Sequence, residues 1–61
     1  MTVQDFMELA ADGTEFTVYD MAQEKHIYDS SAEGGSVYEV YEMEVQSWEV
    51  ENGQIIFNVN T

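Results

Sequence analysis

The chain has one Lys, no Arg, no Cys and one His, and these shortages exclude more than any motif identifies. Without cysteine there is neither a disulfide staple nor a thiolate metal site. With Lys25 as its only strong base, the chain cannot neutralise a phosphate backbone, which excludes direct nucleic-acid binding. No apolar run approaches the roughly 20 residues that span a bilayer. The start, Met1-Thr-Val-Gln-Asp, lacks the basic-then-apolar order of a secretory signal. Net negative charge also opposes docking on anionic lipid. A soluble, cytoplasmic protein without a membrane partner is expected.

Catalytic equipment is equally sparse. His26 stands beside Lys25, where a half-exposed strand residue is expected. Ser30, Ser31, Ser36 and Ser47 have no nucleophile elbow around them. Gly34-Gly35 fits neither the Walker nor the dinucleotide spacing, and no Lys follows it. Asp29, Ser31 and Glu33 alternate as the start of a calcium loop does, but the spacing beyond them fails. The expectation is a protein that is not an enzyme and uses no cofactor or metal.

What the chain does have is acid. Thirteen of 61 residues are Asp or Glu, giving a net charge of −12. Small soluble domains usually carry a magnitude of about 2–8. Such an imbalance strains a compact state by self-repulsion, so a use for it is expected, and docking on a strongly basic surface is the direct one. Disordered acidic chains are poor in aromatic and β-branched residues. Four Tyr, three Phe, one Trp and many Val and Ile instead indicate a folded chain. Residues 1–61 form one small domain by length. A domain of this size buries only about 60% of its unfolded surface, so homo-oligomerisation is one way to add stability.

Val3, Phe6, Met7 and Ala10 follow the spacing of one helical face, widened by Leu9. Thr2 and Asp5 resemble a capping box, and Asp12-Gly13 supplies a stop. Glu15–Asp20 alternates as a strand, with Phe16 and Val18 opposite Thr17 and Tyr19. Lys25–Tyr28 reads as a second strand returning through a turn at Ala22-Gln-Glu, and residues 29–36 read as a loop. Asn52-Gly53 predicts a two-residue type I′ hairpin. That register sets Glu51 opposite Gln54, Val50 opposite Ile55, Trp48 opposite Phe57 and Gln46 opposite Val59. Upstream the phase breaks, and a bulge near Gln46–Ser47 repairs it. Residues 36–42 fit either a strand or a helical turn. The fold class is α+β: one N-terminal helix packed on a small, mainly antiparallel sheet of three to four strands ending in a β-hairpin. The predicted core is Phe6, Leu9, Phe16, Val18, Trp48, Val50, Ile55, Phe57 and Val59.

Residues 38–45 interleave Glu39, Glu42 and Glu44 with Tyr38, Tyr41 and Met43. Tyr and Met are enriched at interfaces. Carboxylates two apart on a strand stand about 6.7 Å from each other on one face, so Glu42 with Glu44, and Glu49 with Glu51, present regularly spaced charge. The plainer account is a solvated strand face kept charged against edge-to-edge pairing.

Thr2-Val-Gln-Asp-Phe-Met-Glu-Leu-Ala, the strand ending Val-Tyr-Asp20, and the run from Trp48 to Asn60 together resemble short acidic proteins of phages and mobile elements. The resemblance is one of layout: helix, hairpin, hairpin. Some small acidic phage proteins are anti-CRISPR or other anti-defence factors that imitate nucleic acid, and this chain is similar in size and charge. That implies a non-enzymatic inhibitor whose partner is a basic nucleic-acid-binding protein. Its contact set is Glu39, Glu42, Glu44, Glu49 and Glu51 as phosphate mimics with Tyr38, Tyr41 and Met43 as anchors. Charge reversal at Glu42 and Glu44 is then expected to cost more than at Asp5 and Glu8. The alternative is an accessory or assembly protein acting through homo-oligomerisation.

Overall fold

Six elements follow one another in the computed structural model: α1 (Val3–Met7), β1 (Phe16–Asp20), β2 (Lys25–Asp29), α2 (Val37–Tyr41), β3 (Ser47–Glu51) and β4 (Gln54–Val59). Residues 1–11, 13–31 and 37–61 are described, except for the side chains of Val37 and Tyr38. Most of the expected loop, residues 32–36, therefore lies outside the described residues, as do Glu33 of the calcium-loop alternation and Asp12 of the helix stop.

The capping box forms. The Thr2 hydroxyl accepts the Asp5 N–H at 3.2 Å and the Asp5 carboxylate accepts the Thr2 N–H at 3.1 Å. These bonds hold the Asp5 carboxyl below its ordinary pKa. The helix is shorter than its apolar spacing predicts. The Leu9 and Ala10 N–H groups bond three residues back, to Phe6 and Met7, so the last turn tightens and the helix stops. That turn puts Leu9 outside the core, 82% exposed. Gly13 adopts the left-handed φ of +83° expected of a stop, but after the helix has ended.

The sheet is mixed, with order β2-β1-β4-β3, where a mainly antiparallel one was expected. Both hairpins are antiparallel; the central pair, β1 against β4, is parallel. The reason is burial. Phe16, Val18, Phe57 and Val59 all need cover, and side-by-side pairing of β1 and β4 places them together under the two helices. With Val3 of α1 and Val40 of α2 they make the core. Phe57 meets Phe6 and Phe16 edge-on, with ring centroids 5.0 and 5.8 Å away. Phe6 and Ile55 are half-buried at its margin.

Asn52 (φ 54°) and Gly53 (φ 77°) both take the left-handed conformation of a type I′ turn, and the β3–β4 register runs as predicted from Glu51–Gln54 to Trp48–Phe57. Trp48 and Val50 face the helices yet are not core: they are 52% and 63% exposed. β3 is an edge strand, and a five-residue α1 does not reach across it. Trp48 touches only the margin, 5.1 Å from the Phe6 ring.

The phase break before β3 falls where it was expected: the Gln46 N–H donates at 2.8 Å to Asn58 O, so Gln46 and Ser47 both oppose Asn58, and Gln46 does not reach the expected pairing with Val59. Residues 37–41 are helical, and the chain then pairs with the N-terminal segment. The Val3 N–H donates to Met43 O at 3.0 Å and the Val45 N–H to Met1 O at 2.9 Å. A further irregularity in register, not expected from the sequence, falls between Val18 and Tyr19, opposite Ile27 of β2.

Asp20, fully buried at the end of β1, accepts from the Ala22 N–H (3.0 Å), the Gln23 amide (2.6 Å), and the Thr61 N–H (3.1 Å) and hydroxyl. The Thr61 hydroxyl contributes most to holding its pKa down to about 2. It pins the chain end to the β1–β2 turn.

Candidate functional site

Alternation on the strands divides the remaining polar residues between two sides. The core side carries Phe16, Val18, Phe57 and Val59. On the other side the register lines up Asp29, Thr17, Ile56 and Glu49 in one row across all four strands. A second row holds His26, Tyr19, Asn58 and Ser47. Glu51 and Gln54 pair in a third row, which Glu15 joins through a 3.2 Å bond from the Gln54 amide to its carboxylate. Among the described residues no element packs over this face. At a strand spacing of about 4.8 Å, the carboxylates of Asp29 and Glu49 bracket a floor about 14 Å wide.

Two clefts of about 370 and 230 Å³ open on this face and share His26, Glu51 and Ile56. The Tyr19 and His26 rings meet edge-on at 5.1 Å. Thr17 lies between the strands only 7% exposed, and its hydroxyl has no hydrogen-bond partner among the described residues. Asp29 Oδ1 accepts both the N–H (2.9 Å) and the hydroxyl (2.7 Å) of Ser31. Those bonds, the hydroxyl's first, hold its carboxyl below the usual range, so it is a fixed anion at neutral pH. Neither Lys nor Arg stands on the face; Lys25 is in register with Asp20, in the opposite phase.

Of the eight sequence-predicted contact residues, the seven whose side chains are described do not form one surface. Glu49 and Glu51 lie on the open face. Glu39 is exposed on α2 and Glu42 just beyond it, on the side of the helices. Glu44 is not part of a strand. It bridges to Thr2, and its carboxylate pairs with the Met1 ammonium at 2.8 Å, which raises that ammonium's pKa. Glu42 and Glu44 therefore lack the two-residue strand repeat expected of them. Tyr41 stacks on Phe16 at 6.4 Å and Met43 packs against the core, both half-buried. The Tyr38 side chain lies outside the described residues.

Sequence reasoning missed Thr17, Tyr19, Asp29 and Glu15 as neighbours of Glu49 and Glu51. The alternation of Thr17 and Tyr19 against Phe16 and Val18 was a usable signal for which side they take. The β1–β4 pairing that brings them beside the acidic strand has no local signature.

Among the described residues no helix is long and apolar enough to cross a membrane, and no three His, Asp or Glu side chains converge as metal ligands do. No family model matches the chain, and neither curated proteins nor solved structures include a detectable match to it.

Proposed function

We propose that this chain is a non-enzymatic acidic binding protein that imitates nucleic acid and occupies the basic groove of a nucleic-acid-binding effector. The observation that carries the proposal is the open sheet face, where Glu15, Asp29, Glu49 and Glu51 stand with no basic side chain besides His26. Glu49 and Glu51 keep the repeat of about 6.7 Å along one strand that suits a groove built for successive phosphates. The sheet backbone fixes the spacing of the positions that carry these charges, which lowers the ordering needed on binding. The resemblance to small acidic phage proteins fits an anti-defence inhibitor. Contact is electrostatic and therefore strongly salt-dependent.

The test is capture from host lysate on the immobilised protein at low salt, followed by a salt gradient. One nucleic-acid-binding protein, released by salt and displaced by added DNA or RNA, supports the proposal. A scatter of basic proteins indifferent to nucleic acid contradicts it.

A second reading is favoured by a different observation. Met1, Leu9, Trp48 and Val50 are exposed, and an apolar cleft of about 230 Å³ runs between Met1, Phe6, Leu9 and Ile55. Together with the edge of β3 this is a surface for self-association. A dimer that forms by sedimentation at high salt, where repulsion is screened, and is lost in Trp48→Ser supports that reading. A monomer at every salt concentration removes it.

A further inference from the structure

We propose that the larger cleft on the open face, above Thr17, is a receptor for one guanidinium group, an arginine side chain of the basic partner. This rests on the open face being the contact surface and names what that surface recognises.

Thr17 carries the argument. Its hydroxyl is the one buried side-chain polar atom without a hydrogen bond among the described residues, whereas the buried Asp20 carboxylate is fully bonded. Buried polar groups are nearly always paired, and an exception calls for an explanation. Thr17 lines a cleft that also holds the carboxylates of Asp29 and Glu51, with Gln54, His26 and Asn52 beside them. Asp29 Oδ1 is taken by Ser31, but Oδ2 receives no hydrogen bond among the described residues. Glu51 is exposed on the facing wall. The Gln54 amide nitrogen is turned to Glu15, leaving its oxygen as an acceptor. Between them lies the apolar side chain of Ile56.

A matching ligand brings several donors, no acceptor, a positive charge and a flat face. Guanidinium has five N–H donors in one plane and none of the strong hydration of an ammonium, so its face can rest on Ile56 while its edges reach Thr17, Asp29 and Glu51. The cleft volume, about 370 Å³, lies within the range of small-ligand sites. The Thr17 hydroxyl is sheltered from solvent, so the guanidinium reaches it only as side chains lining the cleft give way.

The test is an NMR titration of the isotope-labelled full chain at low salt with N-acetyl-arginine amide, beside its lysine and citrulline counterparts. Saturable shifts confined to Thr17, Asp29, Glu51 and Ile56 are expected, with arginine binding tighter than lysine and citrulline not binding. Thr17→Val is expected to weaken arginine binding about tenfold, as loss of a hydrogen bond to a charged group does, and Glu51→Gln severalfold. The melting temperature of each variant reports separately that it folds. Unsaturable shifts spread over all the carboxylates, equal binding of lysine, or an unchanged affinity in Thr17→Val overturns the proposal. If these fail while a nucleic-acid-binding partner is still captured, the arginine receptor alone is lost. If arginine binds as described while capture returns no such partner, the nucleic-acid mimicry falls and the receptor stands.

Discussion

Thr17 of β1 lies in register with Ile56 of β4, so a buried hydroxyl without a partner among the described residues sits directly beside an aliphatic side chain on the acidic face of the sheet. A hydroxyl in that position costs stability, because its bonds to water are lost and not replaced. Thr17→Val removes the hydroxyl and nearly keeps the shape. The expected result is a gain of about 1 kcal/mol and a rise in melting temperature of about 4–8 °C, measured by thermal unfolding in the absence of partner. A variant that is more stable but binds less well marks a residue kept for binding. A melting temperature below that of the parent contradicts the burial of an unsatisfied group.

Asp20 gives the fold a defined response to acid. Its folded pKa of about 2 lies below the ordinary value of 3.8, so its contribution is fully present above about pH 4. As pH falls from there through 2 the carboxylate protonates and the contribution is lost. Asp20→Asn is expected to melt at a lower temperature than the parent at neutral pH, and the gap between the two is expected to close between about pH 4 and 2. Thr61→Ala, which removes the strongest of the bonds to Asp20, shifts the parent's acid transition upward. A gap that stays constant with pH contradicts this role for Asp20.

The two members of the Trp48–Phe57 cross-strand pair are expected to differ sharply in worth. Phe57 is fully buried beneath Phe6 and beside Phe16, and Phe57→Ala costs about 3–5 kcal/mol. That is comparable to the whole stability of a domain this small, and the variant is expected to be unfolded by circular dichroism. Trp48 contributes mainly its contact with Phe6, so Trp48→Ser costs about 0.5–1.5 kcal/mol. Equal losses in denaturant titrations contradict the edge position of β3.

Local signals were legible in the sequence and long-range ones were not. Thr2 with Asp5, and Asn52 with Gly53, each act through their own backbone, and the capping box and the turn both formed as read. The strand phases of Phe16 and Val18 and of Phe57 and Val59 were also right, because period-two alternation needs no knowledge of neighbours. What alternation lacks is the cover. Trp48 and Val50 have core-like phase, but their burial depends on how far α1 extends. That length is set by three-residue-back bonds at Leu9 and Ala10, which leave no clear mark in sequence. The parallel seating of β1 on β4 joins segments about 40 residues apart, and it decides both the mixed sheet and the candidate site. For the same reason Glu44 looked like a strand residue from its neighbours, although its structural partners are Met1 and Thr2.

The most direct measurement compares charge reversal on different sides of the molecule, using the partner recovered by capture. Glu49→Lys with Glu51→Lys changes the open face, Glu39→Lys with Glu42→Lys the side of α2, and Asp5→Lys with Glu8→Lys the surface of α1. All three double variants change the net charge by the same amount, so a purely generic attraction weakens equally in each. The expected result is a loss of affinity on the order of a hundredfold or more for the Glu49/Glu51 variant, as for close charge pairs at a contact, and less than tenfold for the other two. Equal losses in all three, or the largest loss at α1 or α2, contradict the open sheet face as the binding surface.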